Sequence, residues 1–235
     1  MTSPATTSPR SAGPASPEPL PDATSPTGDS SLTCGGRTFP AAGLNAATGA
    51  ESASGPEFDA LRATFKLAGF AGASGWRLAG RDATGAIFLA RTEAFGPAGW
   101  VSVEVTAGPN GWQPGGFGQC NLRVVLSADY GPASWALNPA FPAPAPADST
   151  LEILVWESAC SGGALVMGRM SAPVIQYSAS TVTITIGVRP LPAGPHTCPL
   201  GPGTPASLRL SEPLGNRTIL DGDFVPPAAP SPPFG

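Results

Sequence analysis

Hydrophobic residues recur with a period of two in several segments of this chain after residue 75. Between residues 100 and 106 valines alternate with polar residues, and between residues 181 and 188 Val and Ile alternate with Thr and Gly. Alternation of this kind predicts strands with one buried face. The chain is therefore predicted to be mainly β.

A helical period is clear in one segment, residues 55–69. Phe58, Leu61 and Phe65 recur at helical spacing and form one apolar face. Pro56 suits the first helical position and Gly69 suits a C-terminal cap. We predict one helix here.

The predicted elements fall into two units. Residues 34–129 combine the helix with strands at 76–78, 86–90, 100–106 and 122–126, and residues 108–118 are predicted to be a Gly/Pro loop. This pattern predicts an α+β unit with one helix on an antiparallel sheet.

The second unit, residues 130–228, shows strand patterns only. Candidate strands cover residues 135–137, 151–156, 174–177, 182–188, 207–210 and 217–220. Short strands separated by Pro/Gly turns predict a small β-sandwich. Residues 139–148 are interpreted as a stiff, polyproline-like connector.

Both ends of the chain are rich in Pro. Residues 1–33 contain almost only Pro, Ser, Thr, Ala and Gly, which predicts a disordered leader of the kind that spaces a domain from a membrane. Residues 229–235 are predicted to be a tail. Since no signal peptide or membrane span is visible, we expect the reading frame to continue upstream of Met1 and to encode an apolar segment, with a lipidated Cys as one form of anchor.

Charge restricts the classes of partner. Charged residues make up 12% of the chain, half the usual share of about 25%, and the 12 basic residues are scattered singly. Nucleic acid is therefore not expected as a partner.

Four cysteines lie at positions 34, 120, 160 and 198, with no CxxC pair among them. An even number at this spacing indicates two disulfides and an oxidising compartment, the alternative being four buried thiols in the cytosol. Cys160 and Cys198 lie in the same predicted sandwich, so we expect them to pair. By exclusion, Cys34 would then pair with Cys120.

Glu157 is a candidate buried carboxylate. It shares strand parity with Ile153 and Val155, so its side chain is expected on the apolar face. A buried carboxylate needs a partner, and we expect a structural ion pair with Arg169 or Arg189. The alternative, a general acid acting with Glu152, conflicts with parity because Glu152 faces the opposite side.

Trp112 is the candidate ligand contact, because it lies alone in the predicted Gly/Pro loop. Packing into the core is the favoured alternative for so large a side chain.

No residue set specifies catalysis, a cofactor or a metal. His196 is the only histidine and no GxSxG motif accompanies it. The sequence Asp221-Gly222-Asp223 is interpreted as a turn, because a calcium site would need several more oxygen ligands.

Eight stretches together resemble a family of uncharacterised exported proteins from high-GC Gram-positive bacteria. They are residues 34–36, 57–62, 118–120, 135–139, 157–162, 168–169, 188–192 and 210–217, the last of which reads LSEPLGNR. The resemblance implies export and a domain of unknown function. It implies no site residues.

These observations favour a non-catalytic extracytoplasmic module, secreted or on the cell surface, that binds an envelope or extracellular ligand or has a structural role on a flexible stalk. Two alternatives stay open. One is a glycan hydrolase that uses two carboxylates. The other is an extracytoplasmic sensor domain.

Overall fold

The computed structural model describes residues 18–20, 31–41, 44, 49–50, 53–68, 75–92, 99–199 and 201–232. Strands dominate these residues, so the predicted mainly β fold is confirmed. Within the described part of the chain, no helix is long and apolar enough to cross a bilayer.

Most of the strands follow the helix α1 in the chain. The helix α1 is Pro56–Ala68, and the strands are β1 Glu18–Pro19, β2 Ser31–Cys34, β3 Arg37–Pro40, β4 Arg77–Arg81, β5 Gly85–Arg91, β6 Trp100–Gly108, β7 Gly111–Cys120, β8 Arg123–Val125, β9 Gly131–Leu137, β10 Thr150–Glu157, β11 Val174–Tyr177, β12 Thr181–Thr185, β13 Gly187–Val188, β14 Thr204–Arg209 and β15 Thr218–Asp221.

The first unit has three layers around the antiparallel sheet β4-β5-β6-β7. The helix α1 covers one face, where Leu61 is fully buried and the rings of Phe58 and Phe88 pack edge to face at 5.5 Å. The small sheet β3-β2-β8 covers the other face, with Leu32 and Phe39 in its core. Strand β5 is buried on both sides as a result.

The prediction of a loop at residues 108–118 is wrong. Strand β7 occupies most of it and pairs with β6 across a tight hairpin. Backbone hydrogen bonds hold β7 although its sequence has little strand propensity. Gly115 has a steric role, since a Cβ there would overlap the carbonyl of Glu104 at the bulge between the two strands.

The prediction that residues 1–33 are disordered is also wrong for the part of this segment that the structure describes. Residues Ser31–Cys34 form β2, which pairs with both β3 and β8 and buries Leu32. Glu18–Pro19 form β1 on the edge of the second unit. Residues 1–17 and 21–30 lie outside the described residues, where the prediction stays a prediction.

The second unit is the predicted sandwich. The sheet β1-β14-β10-β9-β13 packs on the sheet β11-β12-β15, and the core between them includes Trp135, Ile153, Ile184 and Leu208. The predicted strand 182–188 divides at Ile186, because β12 pairs with β11 and β15 whereas β13 pairs with β9 in the opposite sheet.

The chain returns to the first unit after β15. Val124 N donates to Asp223 O at 2.8 Å, and Trp100 Nε1 donates to Val225 O at 2.6 Å. Val225 packs against the core beneath the small sheet. Near the end of the chain, Ser231 N donates to Trp135 O at 3.1 Å. The segment after β15 therefore ties the two units together.

Two disulfides join the pairs expected from the sequence. Cys34, at the end of β2, pairs with Cys120, at the end of β7, and both are buried. Cys160 follows β10 and pairs with Cys198, which precedes the neighbouring strand β14. Two disulfides indicate an oxidising, extracytoplasmic environment.

Replacing both members of one disulfide by alanine should lower the free energy of unfolding by about 2–5 kcal/mol, because the unfolded chain gains freedom. The loss should be larger for Cys34/Cys120, whose bond closes the longer loop, with a separation of 86 residues against 38. Urea unfolding followed by tryptophan fluorescence measures both. A smaller loss for Cys34/Cys120 than for Cys160/Cys198 would contradict the prediction.

Candidate functional site

Glu157 forms an ion pair with Arg169, which is one of its two expected partners. Glu157 Oε2 accepts from Arg169 Nη1 at 2.7 Å, and the two side chains are 5% and 16% exposed. Arg169 Nη1 also donates to the backbone carbonyl oxygen of Arg189 at 2.6 Å. The side chain of Arg189 instead stacks on Tyr130. The cluster fastens the end of β10 to the loop before β11.

Trp112 does not lie on a loop. It is in β7, half-buried at the margin of the core under α1. Its ring packs 5.4 Å from the guanidinium of Arg81, which also pairs with Glu57 at 2.6 Å. Its described contacts are therefore those of a packing residue.

His196 lies on the surface of the loop before β14. Its Nε2 is 2.9 Å from the carbonyl oxygen of Pro192, within the same loop. This contact orders the loop and brings no nucleophile to the ring.

The structure reveals a buried charge centre that the sequence did not identify. Asp221 and Asp223 flank the turn after β15, and both are fully buried. Asp223 Oδ2 accepts from Ala133 N at 3.0 Å, and Asp221 Oδ1 accepts from Asp223 N at 2.9 Å. The turn needs Gly222, since a Cβ there would overlap Thr185. We call Asp221, Asp223 and Arg123 the buried charge centre.

Arg123 supplies the positive charge from β8. Its Nη2 lies 3.6 Å from Asp223 Oδ2 and donates to Ser158 Oγ at 3.2 Å and to the carbonyl of Ala133. The guanidinium also stacks 4.1 Å from the centre of the Phe224 ring. The first unit thus contributes a cation to two carboxylates of the second.

Burial raises the pKa of both carboxyl groups. The pKa of Asp221 rises to about 6, and the Asp223 N–H and the charge of Arg123 oppose the rise. The indole N–H of Trp135 also lowers this pKa, although its geometry falls short of a hydrogen bond. The pKa of Asp223 is raised well above its ordinary value, because the charge of Asp221 adds to the effect of burial. Two carboxylates beside one guanidinium favour retention of a proton.

The buried charge centre cannot act on a substrate, because both carboxyl groups are sealed from solvent. A calcium ion is also disfavoured there, because a guanidinium already faces Asp223. Among the described residues, no group of three or more His, Cys, Asp and Glu could hold a metal ion. The contacts of the centre join the two units.

A groove of about 500 Å³ lies between the outer face of β9 and β10 and the loop that connects them. Phe141, Pro142, Ala143 and Pro144 form its wall, and Leu137, Thr150 and Glu152 line its floor. Phe141 is 41% exposed, which is unusual for so large an apolar residue in this protein. We call this the proline-loop groove.

Hydrogen bonds fix the loop at both ends. At the first end, Asn138 N donates to Glu152 O at 2.8 Å, and the Asn138 side chain accepts from Ala140 N at 3.1 Å. At the other end, Asp148 Oδ2 accepts from Ala145 N at 2.7 Å, and Leu214 N donates to Asp148 O at 2.8 Å. Residues 139–148, interpreted from the sequence as a connector, are therefore held in one conformation and form the wall of the proline-loop groove.

The charge of the groove is negative. Asp148 and Glu152 both line it, and its described lining residues include no Arg or Lys. Glu152 Oε2 accepts from Ser207 Oγ at 2.6 Å, which orients the carboxylate across the sheet surface. The sequence placed Glu152 on the solvent side of β10 but carried no signal that the proline segment would fold back over it.

No family model, no curated protein and no solved structure matches this chain. The groove, the buried charge centre and the disulfides are therefore the features from which a function can be inferred.

Replacing Glu157 by alanine should lower the free energy of unfolding by about 2–4 kcal/mol, because Arg169 would stay buried without its carboxylate. Glu212 pairs with Arg217 at 2.7 Å but is 46% exposed, so Glu212→Ala is the matched control and should cost about 0–1 kcal/mol. Urea unfolding of both variants provides the comparison. Equal losses would show that the Glu157 pair is not a buried one.

The buried charge centre should make the protein less stable as pH rises. The folded pKa of Asp221, about 6, exceeds its ordinary value of 3.8, so the folded state binds more protons between those pH values. The contribution of Asp221 to the free energy of unfolding is fully present below about pH 4 and is lost as pH rises through 6. The raised pKa of Asp223 changes stability with pH in the same direction.

Asp221→Asn tests this dependence, because it leaves Asp223 alone with Arg123. Between pH 5 and 7.5 the free energy of unfolding should fall in both proteins. The fall should be smaller in the variant by at least about 1 kcal/mol. Asp129→Asn, at an exposed carboxylate, is the control and should keep the wild-type slope. An unchanged slope in Asp221→Asn would contradict the raised pKa of Asp221. Urea unfolding at each pH gives the values.

Proposed function

We propose that this protein is a non-catalytic extracytoplasmic binding module whose ligand site is the proline-loop groove. The observation that carries the proposal is the groove itself, a fixed concave surface with apolar walls and two carboxylates. Its volume of about 500 Å³ is within the range of small-molecule sites, about 300–1,000 Å³.

The rigidity of the loop supports a binding role. Proline residues restrict the wall, and the hydrogen bonds of Asn138 and Asp148 hold both of its ends. A ligand would therefore order few side chains when it binds, and less conformational entropy would be lost.

The lining residues support one class of ligand. Phe141 and the prolines offer contact to an apolar body, and Glu152 and Asp148 offer acceptors to a cation or a hydrogen-bond donor. A small molecule or side chain with an apolar body and a cationic group combines both requirements.

The proposed location is the outside of the cytoplasmic membrane, either secreted or on the cell surface. Two disulfides support export. The resemblance to uncharacterised exported proteins of high-GC Gram-positive bacteria agrees with this location.

The two carboxylates in the groove also favour one second candidate, a glycan hydrolase, since such enzymes place two carboxylates in one cleft. Both groups, however, accept hydrogen bonds from the fold itself, Asp148 from Ala145 N and Glu152 from Ser207 Oγ. A general acid must instead donate a proton to the substrate. Binding is therefore the better supported function.

Benzamidine is a suitable probe of the groove, because it joins an aromatic ring to a cation, and neutral benzamide has nearly the same shape. We expect benzamidine to bind with a Kd on the order of 1–10 mM, as fragments of this size do. In ¹⁵N–¹H NMR spectra it should shift the amides of Leu137, Asn138, Thr150 and Glu152. Benzamide should bind about 3-fold more weakly or worse, the size of a partly exposed ion pair.

Glu152→Gln is the matched variant, because glutamine keeps the acceptor for Ser207 but removes the charge. It should weaken benzamidine binding towards the level of benzamide, with Asp148 as the remaining carboxylate, whereas Asp129→Asn should leave binding unchanged. Equal affinity for both probes, or shifts away from the groove, would overturn the proposal. Release of reducing sugar from peptidoglycan that is lost in Glu152→Gln would favour the hydrolase instead.

A further inference from the structure

The outer edge of β14 is covered by a short piece of the leader. On its inner side β14 pairs with β10 along six residues, Thr204–Arg209. On its outer side it pairs with β1 at only two positions, Glu18 opposite Ala206 and Pro19 opposite Ser207, in parallel. Most of this edge therefore carries no strand among the described residues.

Leu20 completes the contact. Its N–H donates to Ser207 O at 2.9 Å, and its side chain is half-buried against the core of the sandwich. Backbone pairing at a sheet edge combined with one apolar anchor is the arrangement by which extended peptides bind to sheets.

The site where Leu20 packs belongs to β14 and its sheet and not to the leader. Ala206 and Leu208 of β14 are fully buried in the sandwich core, so this strand is held firmly whatever lies beside it. On its outer side, Pro205 has no N–H to donate, so further pairing beyond the two paired positions is directed towards Arg209. A segment longer than β1 could pair with more of it.

We propose that the edge of β14 is a strand-addition site for an extended polypeptide with an aliphatic anchor, and that residues 18–20 of the chain occupy it in this structure. The partner adds in parallel to Thr204–Arg209 and places its anchor where Leu20 packs. Because the leader is tethered, it competes at a high effective concentration and excludes weak partners. This site is separate from the proline-loop groove, so either proposal can fail without the other.

The experiment uses the full chain with Leu20→Asp, which places a charge against the core and should release the leader from β14. The probe is a synthetic peptide with the sequence of residues 16–24, SPEPLPDAT. In ¹⁵N–¹H NMR spectra the peptide should shift the amides of Ala206, Ser207 and Leu208 in the Leu20→Asp chain. At least about 10-fold more peptide should be needed in the wild type, because the tethered leader competes.

Leu165→Asp is the matched control, since Leu165 is an exposed leucine of the same unit, at 45%. It should bind the peptide as weakly as the wild type does. A peptide with Asp in place of its leucine should cause no shifts in any chain. Near-ultraviolet circular dichroism verifies that each variant is folded.

Two results would overturn the proposal. In the first, Leu20→Asp leaves the β14 amides at their wild-type positions, which would mean that the leader does not occupy the edge. In the second, the leader is released but millimolar peptide causes no shifts at β14, so that the edge does not accept a strand in trans.

Discussion

The guanidinium of Arg123 joins the two units of this protein. It projects from β8 of the first unit towards Asp223 of the second and donates to the Ala133 carbonyl on β9. A buried unpaired charge costs several kcal/mol, so Arg123 and the carboxylates must stay together. This requirement fixes the segment after β15, which then pairs with β8 and gives Trp100 its acceptor on Val225.

The same constraint supports the candidate ligand site. Strand β9 receives Arg123 at Ala133 and continues to Leu137, on the floor of the proline-loop groove. Strand β10 lies beside it and carries Glu152 in the groove and Glu157 in the ion pair with Arg169. Since both strands are held by buried charges at one end, the groove at the other end is built on a rigid sheet.

Residue patterns predicted part of the site but not its assembly. Strand parity placed Glu157 on the inner face and Glu152 on the outer, and the structure has both where parity put them. Parity could not show that residues 139–148 fold back over Glu152, because that depends on hydrogen bonds from Asn138 and Leu214. Nor could it show that Asp221 and Asp223 meet Arg123, which is about 100 residues away in the sequence.

The sequence alone determined the helix α1, most strands and the division into an α+β unit and a sandwich, because these depend on local periodicity and side-chain burial. The tertiary structure decided the rest. Strand β7 forms because β6 offers it a backbone partner, and β2 forms because it lies between β3 and β8. The buried charge centre and the groove exist only once distant strands are in contact, and local sequence carries no record of which distant groups will share a low-dielectric interior.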